Sequence, residues 1–264
     1  MNETAWRQVN ITYPGHDRRQ RERHAVDHLA HVLPAAEADG LITAWFFIRK
    51  GPWRIRYLLT QDAAGGHRGP NGDPVRPLLV DGVSWTPDIY EPETHAFGGT
   101  ASMHSAHALF HHDSHYLLPY LIDNPTDRRE RSLLLCTALM RTAGLDLNEQ
   151  GDVWARIAGL RPLATRGPLD LQNWVSFTSN VRHLLLGHAR VGLIDHSWIS
   201  AFEEAGRKLR AHRENGTLTR GLRAVITQYV IFHWNRLGLS AVTQATLARA
   251  AREALFRSRA APVS

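Results

Sequence analysis

An α+β fold is predicted from two observations and their order. Segments with strand patterning gather before Tyr90, interrupted by one helical stretch, and helical patterns fill the chain after the Gly98-Gly99 pair. Strands followed by helices argue against a doubly wound α/β sheet. We expect a mainly antiparallel N-terminal sheet packed with a helical C-terminal half. Together they form a single domain over 1–264, sheet-rich over 1–97 and helical over 98–258.

Ala5 to Tyr13 alternates, with Val9, Ile11 and Tyr13 on one side, as a half-buried strand does, and Pro14-Gly15 ends it. Arg18 to Ala38 carries Ala25, Leu29, Val32 and Leu33 at helical spacing before the Asp39-Gly40 stop. Leu41 to Arg49 is apolar and aromatic and reads as a central strand. Lys50-Gly51-Pro52 turns into a further strand, Trp53 to Leu59. Asp62 to Pro74, rich in Gly, Asn, Asp and Pro, reads as a mobile loop. Val75–Val83 and Ser84–Tyr90 read as two strands of a hairpin turning at Asp81-Gly82. Helices are expected near 100–122, 127–144, 149–160, 168–187, 196–215, 219–237 and 241–257, punctuated by Asn124-Pro125, Gly144, Arg166-Gly167-Pro168, Asn215-Gly216 and Gly238.

The 264 residues are 43% hydrophobic and 21% charged, a globular balance that can bury a sizeable core. The net charge of +6 comes from Arg, and it fits a solvated surface or an anionic partner. No long Lys/Arg run points to nucleic acid, whereas an acidic peptide segment suits the charge. The single Cys136 cannot form an internal disulfide, and its apolar neighbours Leu133, Leu134 and Leu135 make it a buried thiol. The N-terminus has no signal-peptide core and no apolar run approaches a membrane span, so a cytoplasmic protein is expected.

Polar and titratable side chains are densest between Tyr90 and Tyr120. Glu91 and Glu93 flank Pro92, which fixes the chain's exit from a strand; they either pair with surface Arg or work as a general acid or base. Asp113 and Ser114 interrupt the apolar stripe Met103, Ala106, Phe110, Leu117, Leu121, so they line a cleft or join a structural polar network. His104, His107 and His111 share a helix face, but no carboxylate stands one turn away, and no metal is expected there. Arg54 and Arg56, two apart on a strand, share a face and repel unless they meet carboxylates, phosphate or water. In the helix near 219–237, His233 continues the stripe Leu222, Val225, Ile226, Tyr229, Val230, and Asn235-Arg236 close it. A histidine in a partly apolar cleft suits proton transfer near neutral pH; a satisfied core residue is the other reading. GxSxG, P-loop, GxGxxG and CxxC patterns are absent, which disfavours a serine hydrolase, kinase, NTPase or dehydrogenase.

Several stretches together resemble the lantibiotic dehydratase C-terminal domain family: Trp45-Phe46-Phe47-Ile48-Arg49 with Trp53-Arg54-Ile55-Arg56-Tyr57, then Tyr90-Glu91-Pro92-Glu93 with Phe97-Gly98-Gly99, then Phe110-His111-His112-Asp113-Ser114, and finally His233-Trp234-Asn235-Arg236-Leu237. They follow the family's order over roughly residues 5–240. The resemblance implies an elimination-domain-like fold and one of two activities. The first is elimination of glutamate from glutamylated Ser/Thr. The second, found in free-standing thiopeptide pyridine synthases, is a formal [4+2] aza-cycloaddition of two dehydroalanines, followed by loss of water and of the leader peptide. The eliminase pattern has Arg before the aromatic-Gly-Gly; here that position is Ala96, which cannot stabilise a departing carboxylate. The pyridine synthase branch is therefore expected, with a glutamate eliminase or a non-catalytic leader-binding scaffold as alternatives. On this resemblance His233 and Tyr229 handle protons with Glu91 or Glu93 as partners. Asp113, Ser114, Asn235 and Arg236 hold the substrate, and Arg54 and Arg56 hold an acidic leader. The implied partner is a precursor peptide with its leader, with no nucleic acid or membrane, in a homodimer or a biosynthetic complex. No cofactor is required.

Overall fold

The computed structural model describes residues 6–61, 63, 72–161, 171–188 and 194–256. These divide between two compact units, one from Met1–Pro92 with Phe110–Thr126, the other from Glu93–Leu109 with Asp127–Ser264. The loop expected over Asp62–Pro74 falls largely outside the described residues, as does Arg166-Gly167-Pro168. No helix among the described residues is long and apolar enough to cross a membrane.

The first unit holds β1 (Trp6–Thr12), α1 (Arg18–Ala38), β2 (Ile42–Arg49), β3 (Trp53–Leu59), a single-turn α2 (Arg76–Val80) and β4 (Ser84–Asp88). The four strands form one antiparallel sheet in the order β2-β3-β1-β4. The β2–β3 hairpin turns at Gly51, whose φ of 76° a side chain would resist. One sheet face is covered by α1. Trp45 Nε1 donates to Glu37 at 2.8 Å and Arg49 pairs with Glu22, while Val9, Ile11, Phe47 and Ile55 are buried.

On the opposite face lies Arg56, only 5% exposed. Its guanidinium stands 4.1 Å from the Tyr90 ring centroid and 5.4 Å from that of Phe46, and its Nε donates to Gln8 at 2.7 Å. Trp6 packs edge-on against both rings, and Phe110 closes on Phe46 at 5.2 Å. A desolvated cation is tolerated here because ring faces and a strong acceptor replace its water.

Two expectations need correcting. Val75–Val83 is not a strand. Pro77 in the first turn suits a helix, and Asp73 Oδ1 accepts from the Val75 and Arg76 amides at 3.0 Å, so the short apolar run coils into α2. Asp81-Gly82 consequently joins a helix to β4 and makes no hairpin. Leu41–Arg49 is not central either: β2 is an edge strand. It reads as central because both faces are covered and because His111 meets the outer main chain of Trp45, its Nδ1 lying 3.2 Å from both the amide nitrogen and the carbonyl oxygen.

The remaining helices are α3 (Thr100–Ile122), α4 (Arg128–Thr142), α5 (Leu147–Leu160), α6 (Leu171–Leu186), α7 (His196–Glu214), α8 (Leu222–Leu237) and α9 (Ala241–Phe256), each within three residues of its expected bounds. α3 belongs to the second unit through Leu109 and to the first from Phe110. Within the second unit α4 lies against α7, and α5 against α8 and α9. α5 starts with a reciprocal cap between Asp146 and Glu149. α8 is the core element. Its buried residues include the consecutive runs Val225-Ile226-Thr227 and Tyr229-Val230-Ile231, which no single face can hold. Trp234 stacks on Trp154 and bonds Ser132, and Arg223 pairs with Asp152.

The closest approach of α4 and α7 depends on Gly206. A Cβ there would stand 2.1 Å from Thr142 Oγ1 and 2.4 Å from the Leu139 carbonyl oxygen. Gly206→Ala must therefore push the helices apart, and urea titration should show a loss of about 2–3 kcal/mol, the cost of an overpacked core.

Candidate functional site

In the second unit the polar groups of interest gather around α8 and the turn that leads into α3. Glu93 to Gly99 is a compact turn: the Phe97 amide donates to the Glu93 carbonyl at 3.1 Å and the Gly99 amide to the Thr94 carbonyl at 2.9 Å. Gly98 has φ 83°, and a Cβ there would lie 2.9 Å from Val225 of α8. Its carbonyl accepts from the Thr219 amide at 3.0 Å. The Gly-Gly pair thus lets the chain lie flush on the start of α8. Phe97, fully buried, meets Tyr229 edge-on at 5.3 Å and Phe232 at 5.0 Å.

Tyr229 donates its hydroxyl to the Ser102 carbonyl at 3.2 Å. Burial raises its pKa well above the ordinary phenol value and outweighs the opposing effect of the Ser102 bond, so it is a neutral donor at any working pH. His233 follows one turn later, fully buried, with its ring edge-on to Phe202 of α7 at 5.0 Å. Asn235 accepts from Gln244 Nε2 of α9 at 3.1 Å, and Arg236 is fully buried. The Glu93 side chain is exposed. Ala96 offers its carbonyl to Arg220 Nη1 at 3.5 Å, so a guanidinium absent from position 96 arrives from the segment before α8. Sequence reasoning missed Arg220, because only the fold brings residues 124 apart together.

In the first unit stand Arg54, Arg56, Glu91, Asp113 and Ser114. The register sets Arg56 opposite Gln8 and Arg54 opposite Asn10, which puts both arginines on one face as expected. Arg56 is enclosed by the aromatic rings, while Arg54 stays half-exposed near Asp88. The Asp88 carboxyl is held below the usual range, chiefly by the Asn10 amide at 3.0 Å and further by the Arg54 charge. Glu91 is exposed, and Asp113 and Ser114 are fully buried in α3. Of the three histidines set aside as ligands, His104 is exposed and His107 buried. Among the described residues the ligand atoms close enough to hold a metal belong to Glu37, His111 and His115. The pair His111 and His115, one turn apart, was visible in the sequence; Glu37 was not.

Residues 6–255 match the family model described as lantibiotic biosynthesis dehydratase C-term. The chain belongs to that family. Membership ties it to lantibiotic-type peptide biosynthesis. Solved structures agree in fold. MibB, a tRNA-dependent lantibiotic dehydratase from Microbispora sp. 107891, superposes with a TM-score of 0.65 at 19% identity, over 97% of this chain and 28% of MibB. The pyridine synthase TbtD, from thiomuracin biosynthesis, gives 0.64 at 13% identity, over 96% of this chain and 98% of TbtD. TsrL gives 0.62 at 16% identity, over 96% and 94%. No curated protein sequence matches significantly. In this family member the Phe97-Gly98-Gly99 motif is a backbone joint onto α8, and Ala96 precedes it.

Buried phenols make the protein sensitive to alkali. Burial raises Tyr13, Tyr57 and Tyr229 above their ordinary value. Above pH ~10 the unfolded chain loses phenolic protons that the folded chain keeps, so this stability is intact below pH ~10 and falls as pH rises. Tyr229→Phe should make the decline between pH ~10 and ~11 shallower by up to about 1.4 kcal/mol per pH unit in urea titrations.

Proposed function

We propose that the protein is a pyridine synthase of thiopeptide biosynthesis. It joins two dehydroalanines of a modified precursor by a formal [4+2] aza-cycloaddition, then releases water and the leader peptide to leave a pyridine-centred macrocycle. The observation that carries this reading is Ala96, which removes from the motif the side chain an eliminase would aim at a departing glutamate. The likeness in fold to the pyridine synthase TbtD, over 96% of this chain, supports the same branch.

The chemistry asks for little beyond proton handling and positioning. One amide passes to its imidic acid to become a 2-azadiene, so a proton leaves nitrogen and another reaches oxygen. Two carbon–carbon bonds then close onto the second alkene, one from the alkene end of the azadiene and one from its imidic carbon, an entropic term on the order of several kcal/mol when both ends are held. In the second unit, Tyr229 as a neutral donor and His233 one turn on are the proton-handling pair, with Glu93 as an exposed partner and Asn235 and Arg236 positioning the helix end. In the first unit, half-exposed Arg54 and exposed Glu91 face the peptide, while Arg56, Asp113 and Ser114 act from buried positions. The leader adds alongside β4, the other edge strand, because His111 already covers the β2 edge at Trp45. Pro87 withholds one donor there.

Arg220 favours a second reading, since it returns a guanidinium to Ala96 and with it a means of eliminating glutamate. One incubation separates the two. Offered an azole-bearing dehydroalanine precursor with its leader, and separately a glutamylated peptide, the protein should release free leader and macrocycle from the first and no glutamate from the second by mass spectrometry. Glutamate loss that disappears in Arg220→Ala, with the first substrate left intact, would establish the eliminase instead.

A further inference from the structure

We propose that Glu37, His111 and His115 form a binding site for a late first-row divalent cation, with zinc as the representative ion. Glu37 lies at the last turn of α1, and the two histidines sit one turn apart on α3; all three belong to the first unit. The two carboxylate oxygens each face one imidazole: Oε1 is 3.3 Å from His111 Nε2 and Oε2 is 2.7 Å from His115 Nε2. All three ligand atoms lie within 4.8 Å of one another. Metal–nitrogen bonds of about 2.0–2.1 Å in a tetrahedron require ligand atoms about 3.3 Å apart, so a small inward turn of His115 completes the set.

The surroundings hold the ligands as outer-shell partners of a metal site do. His111 Nδ1 lies 3.2 Å from both the amide nitrogen and the carbonyl oxygen of Trp45. With Nδ1 protonated it donates to that carbonyl, and Nε2 then presents a lone pair toward Glu37, which is the arrangement a bound cation uses. With Nε2 protonated, Nδ1 accepts from the Trp45 amide, and the trio is closed by hydrogen bonds alone. One backbone contact thus serves both the loaded and the empty site. The Trp45 indole donates to Glu37 Oε2 at 2.8 Å, so one fully buried residue orients two of the three ligands. The His115 side chain is 39% exposed, which gives the ion a route in and leaves a coordination position for water. Two nitrogens and one oxygen suit zinc, nickel or copper better than magnesium or calcium. A bound ion would clasp the end of α1 to α3 beside the edge strand β2.

The test is zinc titration of tag-free, full-length protein against a chromophoric chelator, repeated with Glu37→Gln, His115→Asn and, as a control outside the cluster, exposed His104→Asn. One zinc per chain is expected, at micromolar affinity or tighter. Affinity should fall at least about 10-fold in the two cluster variants, the lower range for losing even an outer-shell partner, and stay unchanged in the control. His115 is half-exposed, so its variant should keep the wild-type circular dichroism if Glu37→Gln does not fold. Absence of saturable one-to-one uptake in the wild type, or wild-type affinity in a folded His115→Asn, overturns the proposal.

Discussion

The second unit depends on burying α8 on every side. A helix hydrophobic all round must sit at the centre of its neighbours, and any polar group it carries must find a partner inside. This constraint places Trp234 on Trp154 and against Ser132, turns Tyr229 toward the Ser102 carbonyl, and takes His233 and Arg236 out of solvent. It also explains the glycines before α3, because Gly98 must lie against Val225 without a side chain between. A motif that reads as a functional signature in sequence is thus also a packing joint. Changes to it act on the fold as well as on chemistry.

The first unit obeys a different rule, that of a small sheet covered on both faces. Arg56 sits among Trp6, Phe46 and Tyr90, where ring faces compensate for lost hydration. Trp45 ties α1, β2 and α3 together through its indole and its main chain. With the β2 edge covered there, β4 is the other edge strand of the sheet among the described residues. That asymmetry is why the proposed leader is assigned to the β4 edge.

Much of this was legible in the sequence, and the failures have physical causes. Long periodic segments gave helices near their true bounds, since twenty residues of 3.6-residue periodicity fit no strand. Val75–Val83 misled because the four-residue apolar run Pro77–Val80 carries no period, and its fate was settled by Pro77 and by the Asp73 carboxylate, which accepts from the Val75 and Arg76 amides. β2 misled because apolar composition reports burial, whether neighbouring strands or a helix supply it. The arginine pair was placed on one face correctly, but its charges part company through rings and amides that sequence does not align. The histidines were the hardest: His104, His107 and His111 were the set singled out, whereas the group brings His111 together with His115 and with a carboxylate 74 or more positions away on another helix.

Family membership, an alanine where the resemblance gives an eliminase an arginine, and a neutral buried tyrosine one turn before a histidine are what the proposed proton-assisted cyclisation of a dehydrated peptide rests on. The proposal gives its central chemical role to the Tyr229 hydroxyl. The most direct test is single-turnover cyclisation of a dehydroalanine precursor by Tyr229→Phe, with leader affinity measured alongside. Leader affinity should hold while macrocycle formation slows by about 10²-fold or more, as expected for loss of a positioned proton donor. Undiminished cyclisation by a variant with wild-type melting temperature would contradict it.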